Sequence, residues 1–77
     1  MQTIARGRYR HFKGNEYEVI DVARDSETEQ PVVIYRALYG DYGLWVRPLA
    51  VFTEIIERDG KRQPRFERIE EPIDSAR

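Results

Sequence analysis

A small all-β domain is the fold class this sequence predicts, and three observations predict it. Short stretches rich in β-branched and aromatic residues recur between turn residues every several positions. No segment carries a convincing 3.6-residue apolar period. The stretch from Tyr35 to Phe52 gathers three of the five tyrosines and the only tryptophan around a strand-turn-strand pattern. Five or six short strands follow, closing into a small barrel or roll.

Met1–Ala5 reads as a flexible arm, followed by a strand over Gly7–Phe12 with Tyr9 and His11 on one face and arginines on the other. Lys13-Gly14-Asn15 turns the chain. In Glu16–Arg24, Tyr17 and Val19 alternate with acids, then Ile20 and Val22 fall out of phase, so one bulge between Val19 and Val22 is needed to bring both halves inward. Asp25–Pro31 is polar throughout and reads as the longest, solvated loop.

Val32–Leu38 and Leu44–Arg47 form a central hairpin across the Gly40–Gly43 turn. Pro48 stops the ladder, because it has no amide donor, and Leu49–Phe52 re-aims the chain in a short turn of helix. A further strand extends to Glu57, and Asp59-Gly60 predicts a tight hairpin between Thr53–Glu57 and Pro64–Ile69. Pro64 places that last ribbon at an edge. The domain therefore spans 6–69, between an arm over 1–5 and a polar tail over 70–77.

At 77 residues the chain is one domain. Such a chain buries roughly 60% of its unfolded surface, which leaves no room for an enclosed substrate chamber. Thirteen basic and fourteen acidic residues give a net charge of −1, so no whole-molecule field draws it to nucleic acid or anionic lipid. Locally the charges separate: Arg6, Arg8, Arg10 and Lys13 precede six acids between positions 14 and 30. The absence of cysteine excludes disulfides and thiolate zinc sites and fits a reducing cytoplasm. No stretch approaches the ~20 apolar residues of a membrane span, so a soluble cytoplasmic protein is expected.

Several motifs then occur in fixed order: Gly7-x-Tyr9-x-His11-Phe12-Lys13-Gly14-x-x-Tyr17-x-Val19, Tyr35-x-x-Leu38-Tyr39-Gly40, and Leu44-Trp45-Val46-Arg47-Pro48 with Phe52. Together they resemble a short bacterial family catalogued as a domain of unknown function, the 1653 family. The resemblance covers about residues 6–69 and implies an SH3-like, partly open β-barrel. It implies no activity. The family pattern places an acidic residue and a Met after Arg47-Pro48-Leu49, where this chain has Ala50 and Val51.

His11 is the only histidine and so the only natural general base. Neither Ser26 nor Ser75 forms an evident triad with it, and no G-x-S-x-G elbow exists, so catalysis is not expected. One His without Cys disfavours zinc, and Asp25-Ser26-Glu27-Thr28-Glu29 lacks the glycine and terminal glutamate of a calcium loop. Gly40 and Gly43 have no Lys-Ser/Thr pair after them, so they are turn glycines, not a phosphate loop. No metal or cofactor is expected.

The aromatic and basic set is the remaining chemistry. Tyr9, Tyr35, Tyr39, Tyr42 and Trp45 accompany His11, Lys13, Arg36 and Arg47 on neighbouring strands or turns. Such rings either build a small core or stack on a ligand. Alternation puts Leu44 and Val46 on one face and Trp45 with Arg47 on the other, so an inward aliphatic pair leaves Trp45 and Arg47 towards a partner. The ligand-binding candidates are Tyr9, His11, Lys13, Tyr35, Tyr39, Trp45 and Arg47.

Two function classes follow: a non-enzymatic interaction module for nucleic acid or a protein segment, and a small-ligand-binding or enzyme-associated domain centred on His11. The N-terminal arginines favour a polyanion unless the acids of residues 14–30 fold back beside them. Unpaired edge strands leave the chain as a monomer or a weak homodimer.

Overall fold

The structure, a computed structural model, describes residues 3–69; the tail expected over 70–77 and the first two residues of the arm lie outside them. The strands are β1 (Gly7–His11), β2 (Glu16–Arg24), β3 (Pro31–Ala37) and β4 (Leu44–Pro48), then a helical turn α1 (Leu49–Phe52), then β5 (Ile55–Arg58), β6 (Lys61–Pro64) and β7 (Phe66–Arg68). Five strands make an antiparallel sheet in the order β4-β3-β2-β1-β7, and β5-β6 is a separate hairpin. The result is mostly β and partly open, without closing into a barrel. No helix among the described residues is long and apolar enough to cross a membrane.

The register assigns the faces. Tyr9 lies opposite Tyr17, Val19 opposite Tyr35, and Val33 opposite Arg47, and directly paired residues project to the same side. Tyr9, Val19, Val33, Tyr35 and Ala37 are buried, so this is the concave face, closed off by Leu49, Phe52 and Phe66. The core is largely aromatic: Phe52 and Phe66 stack at 4.0 Å and 3°, while Tyr35 and Tyr9 meet Phe52 edge-on at 5.3 and 5.5 Å. A 77-residue chain with few long aliphatics fills its interior this way, since each ring buries a large area.

The bulge falls where the phase break in β2 requires it, with register shifting between Val19 and Asp21. Ile20 is the extra residue, and the shift restores Val22 to the concave side opposite Val33. Asp59-Gly60 also behaves as its residues dictate. Both adopt positive φ (54° and 74°), the geometry of a two-residue turn whose twist matches the strands it joins.

Three expectations are corrected. The last ribbon is not one strand: β6 pairs with β5, then Arg65 carries the chain over so that β7 pairs with β1, giving seven strands rather than five or six. The hairpin strands run up to the Asp-Gly pair, so Lys61–Gln63 is strand rather than turn. Nor is the arm loose at residues 4 and 5, because Ile4 packs against the core and the Ala5 carbonyl accepts a hydrogen bond from the Tyr9 hydroxyl at 2.8 Å.

Candidate functional site

Trp45 lies opposite Tyr35, and Arg47 opposite Val33, so both project onto the concave face. The expected alternation is present, but its sense is reversed. Leu44 and Val46, expected inward, occupy the outer face with Ile34 and are 57% and 65% exposed. Trp45 is still 57% exposed, because β4 is the edge strand and the core does not extend beneath it.

Around this edge Tyr17, Tyr35, Tyr39, Trp45 and Arg47 line an open cleft of about 200 Å³. Ligand pockets typically enclose ~300–1,000 Å³, so this space suits one ring or side chain rather than a whole metabolite. Tyr17 and Tyr39 share a hydroxyl–hydroxyl hydrogen bond of 2.7 Å, and Tyr17 stands edge-on to Tyr35 and Tyr39 at 5.4 and 5.5 Å. Burial, then the Tyr39 hydrogen bond, pushes the Tyr17 phenol up to about 12, so it stays protonated.

Arg47 is the cation of the cleft. Its Nε donates to the Tyr35 hydroxyl at 3.2 Å, and its guanidinium carbon lies 5.6 Å from the Phe66 ring centre. Among the described residues no carboxylate pairs with it.

The turn that carries Tyr39 is held in an uncommon conformation. Tyr42 takes φ 57°, outside the usual range for a bulky side chain, and is fixed by its N–H on the Tyr39 carbonyl (3.1 Å) and by Arg36 donating to its own carbonyl (2.8 Å). Gly43 follows with its N–H on the Asp41 carboxylate at 3.1 Å. A Cβ at Gly43 would sit 3.3 Å from that carboxylate, a tight approach, and 3.7 Å from the Trp45 indole nitrogen, an ordinary contact, so a side chain here would press on Asp41 rather than on the indole.

Of the seven candidates, Tyr35, Tyr39, Trp45 and Arg47 come together in the cleft. His11 stands beside it, edge-on to Phe66 at 4.8 Å, with Nδ1 accepting the Lys13 backbone N–H at 3.2 Å. Its pKa is lowered, first by burial and then by Arg47, Arg65 and Lys13. The folded state thus resists protonating it, a contribution to stability that is lost as pH falls below about 6.5. Lys13 sits on the β1–β2 turn near the Phe12 ring, away from the cleft lining. Tyr9 is corrected from binding candidate to core residue: it is 7% exposed, with its hydroxyl spent on Ala5.

The sequence marks Tyr17 only as an inward residue, and Phe66 only as part of the last strand. The available signal is the alternation of Tyr17 and Val19 with acids, which puts Tyr17 on the same face as Tyr35 and Trp45. The acids of residues 14–30 do fold back beside the N-terminal arginines, the arrangement under which a basic patch is neutralised. Arg8 and Arg10 lie opposite Glu18 and Glu16 on the outer face, Glu16 bridges both arginines at 3.7 and 3.2 Å, and Arg6 meets Asp21 at 3.8 Å. Among the described residues no three His, Cys, Asp or Glu side chains converge as a metal site would require.

Comparison with known proteins bears on the same span. Residues 7–68 match a family described as "Protein of unknown function (DUF1653)". Among solved structures the chain is similar to a protein of that family from Bordetella bronchiseptica, at 35% identity and a TM-score of 0.79, covering 86% of this chain and 87% of that one. No curated protein matches it.

Proposed function

The chain belongs to the DUF1653 family, a family of unknown function, and from that premise we propose that it is a non-enzymatic interaction module whose concave cleft grips a protein segment. The segment presents one ring, from an aromatic residue or proline, next to a carboxylate. The observation that carries this reading is Arg47, a half-buried guanidinium set among tyrosines and Trp45 without an acidic partner among the described residues. A ring fills the small cleft, and the carboxylate takes the charge-assisted hydrogen bonds the arginine offers. We read the partly open barrel as SH3-like, which makes the cleft an aromatic groove on a rigid scaffold.

A nucleic-acid ligand is less well supported. Polyanion binding grows with the number of phosphates neutralised, and the arginines outside the cleft that would form such a track are matched by Glu16 and Asp21. The His11-centred alternative has less support still, because His11 does not line the cleft, and burial, then Arg47, Arg65 and Lys13, lower its pKa.

Selection of a random-peptide library against the folded domain tests the proposal, with the single-stranded decamer of thymidylate as the polyanion probe. Recovered peptides are expected to carry Asp or Glu beside an aromatic residue or proline. Arg47→Gln is expected to weaken them about tenfold or more, since a hydrogen bond to a charged group contributes roughly 1.5–3 kcal/mol. Tight thymidylate binding that falls steeply with salt, together with no peptide enrichment, would refute it.

A further inference from the structure

The free edge of β4 is a self-complementary surface, and we infer that two copies of the chain pair antiparallel through it about a two-fold axis at Trp45. The backbone parity comes first. Ala37 N–H donates to the Gly43 carbonyl at 3.0 Å, so in the β3–β4 ladder residues 43, 45 and 47 turn their main-chain groups towards β3. Leu44, Val46 and Pro48 turn theirs away, and β4 has no second neighbour among the described residues. The outward groups are the N–H and C=O of Leu44 and of Val46; Pro48 has no N–H to offer.

An antiparallel copy centred on Trp45 sets Leu44 opposite Val46 of the second copy, and the reverse by symmetry. All four outward groups of residues 44 and 46 then find partners on each chain, and the ribbon ends where Pro48 would have failed to donate. Side chains match in the same register. Leu44 and Val46, more than half exposed in the single chain, cover each other on the outer face, and the two Trp45 rings meet at the axis on the concave face. Arg47 falls opposite Gly43 of the second copy, whose missing Cβ leaves the guanidinium room beside the Asp41 carboxylate that lines that position at 3.3 Å. Arg47, which has no acidic partner among the described residues of its own chain, gains one twice over.

The other edges argue the same way by contrast. β7 has three residues, including Glu67 and Arg68, and the hairpin strands carry Glu57, Arg58, Lys61 and Arg62, the charges and short lengths that discourage strand addition. β4 presents Leu44, Trp45 and Val46 in succession, and its one charge is the Arg47 that the pairing uses. A bound segment and a second copy compete for Arg47, but Leu44 and Val46 are not cleft residues, so the two readings fail separately.

Sedimentation equilibrium of the full chain up to about 1 mM tests the inference, since a ribbon this short falls below a standard interface and its dimer is weak. The wild-type mass is expected to rise with concentration towards twice that of one chain. Leu44→Glu and Val46→Lys singly are expected to remain at one chain, because each sets its charge against an apolar partner. The double variant is expected to dimerise again, because Glu and Lys then face each other across both halves of the ribbon. A wild type that stays at one chain, single variants that still dimerise, or a double variant that stays monomeric would each overturn it.

Discussion

At the scale of single residues, Trp45 shows what alternation can and cannot say. Its exposure was legible, and so was its pairing with Arg47 on one face, because side chains alternate along a strand that carries no bulge. Which face was inward was not legible. Leu44 and Val46 are better core residues by hydrophobicity, yet an edge strand leaves them outside and bends Trp45 over the rim of the concave side. Trp45→Ala is therefore expected to fold. It loses on the order of 1 kcal/mol from the part of the indole that is covered, a midpoint drop of about 4–8 °C. Thermal denaturation checks this, with acrylamide quenching of the wild-type indole as its companion. An unfolded variant, or a quencher-resistant indole, contradicts the placement. Tyr9 is the opposite case: its sequence neighbours suggested a surface, but its cross-strand position over Tyr17 and under Phe52 makes it interior.

Among the elements, those set by local chemistry were legible: the β2 bulge from a phase break, the Asp59-Gly60 hairpin from its turn residues, and the stop at Pro48. Pairings set by distant chain segments were not. Nothing local in Phe66–Arg68 says that it leaves the hairpin and pairs with β1, yet that crossover puts Phe66 under the cleft, stacked on Phe52 and beneath Arg47. Phe66→Ala is expected to cost roughly 3–5 kcal/mol, because it removes a ring 5% exposed that touches the tyrosines, His11 and Phe52 together. Against the total stability of about 5–15 kcal/mol usual for domains, that leaves a largely unfolded variant by circular dichroism. A cooperative melt near the wild-type midpoint would show that β7 contributes little to the core.

For the whole molecule, the net charge of −1 argues against a polyanion field, while the sequence leaves open how its separated basic and acidic stretches lie relative to each other. Antiparallel folding of β1 on β2 brings the two stretches together and cancels them on the outer face. Arg47 remains as a concave-side cation framed by rings and without an acidic partner among the described residues, and the account of a segment-binding module rests on it. The most direct test is a nitrogen–proton chemical-shift titration of the domain with the blocked dipeptide Ac-Phe-Asp-NH2, with the thymidylate decamer in parallel. The account predicts saturable shifts confined to the Trp45 indole N–H and the amides of Tyr17, Tyr39 and Arg47, none along the Arg8 and Glu18 face, and no response to the decamer. Shifts spread over that outer face, or a response to the decamer alone, would contradict it.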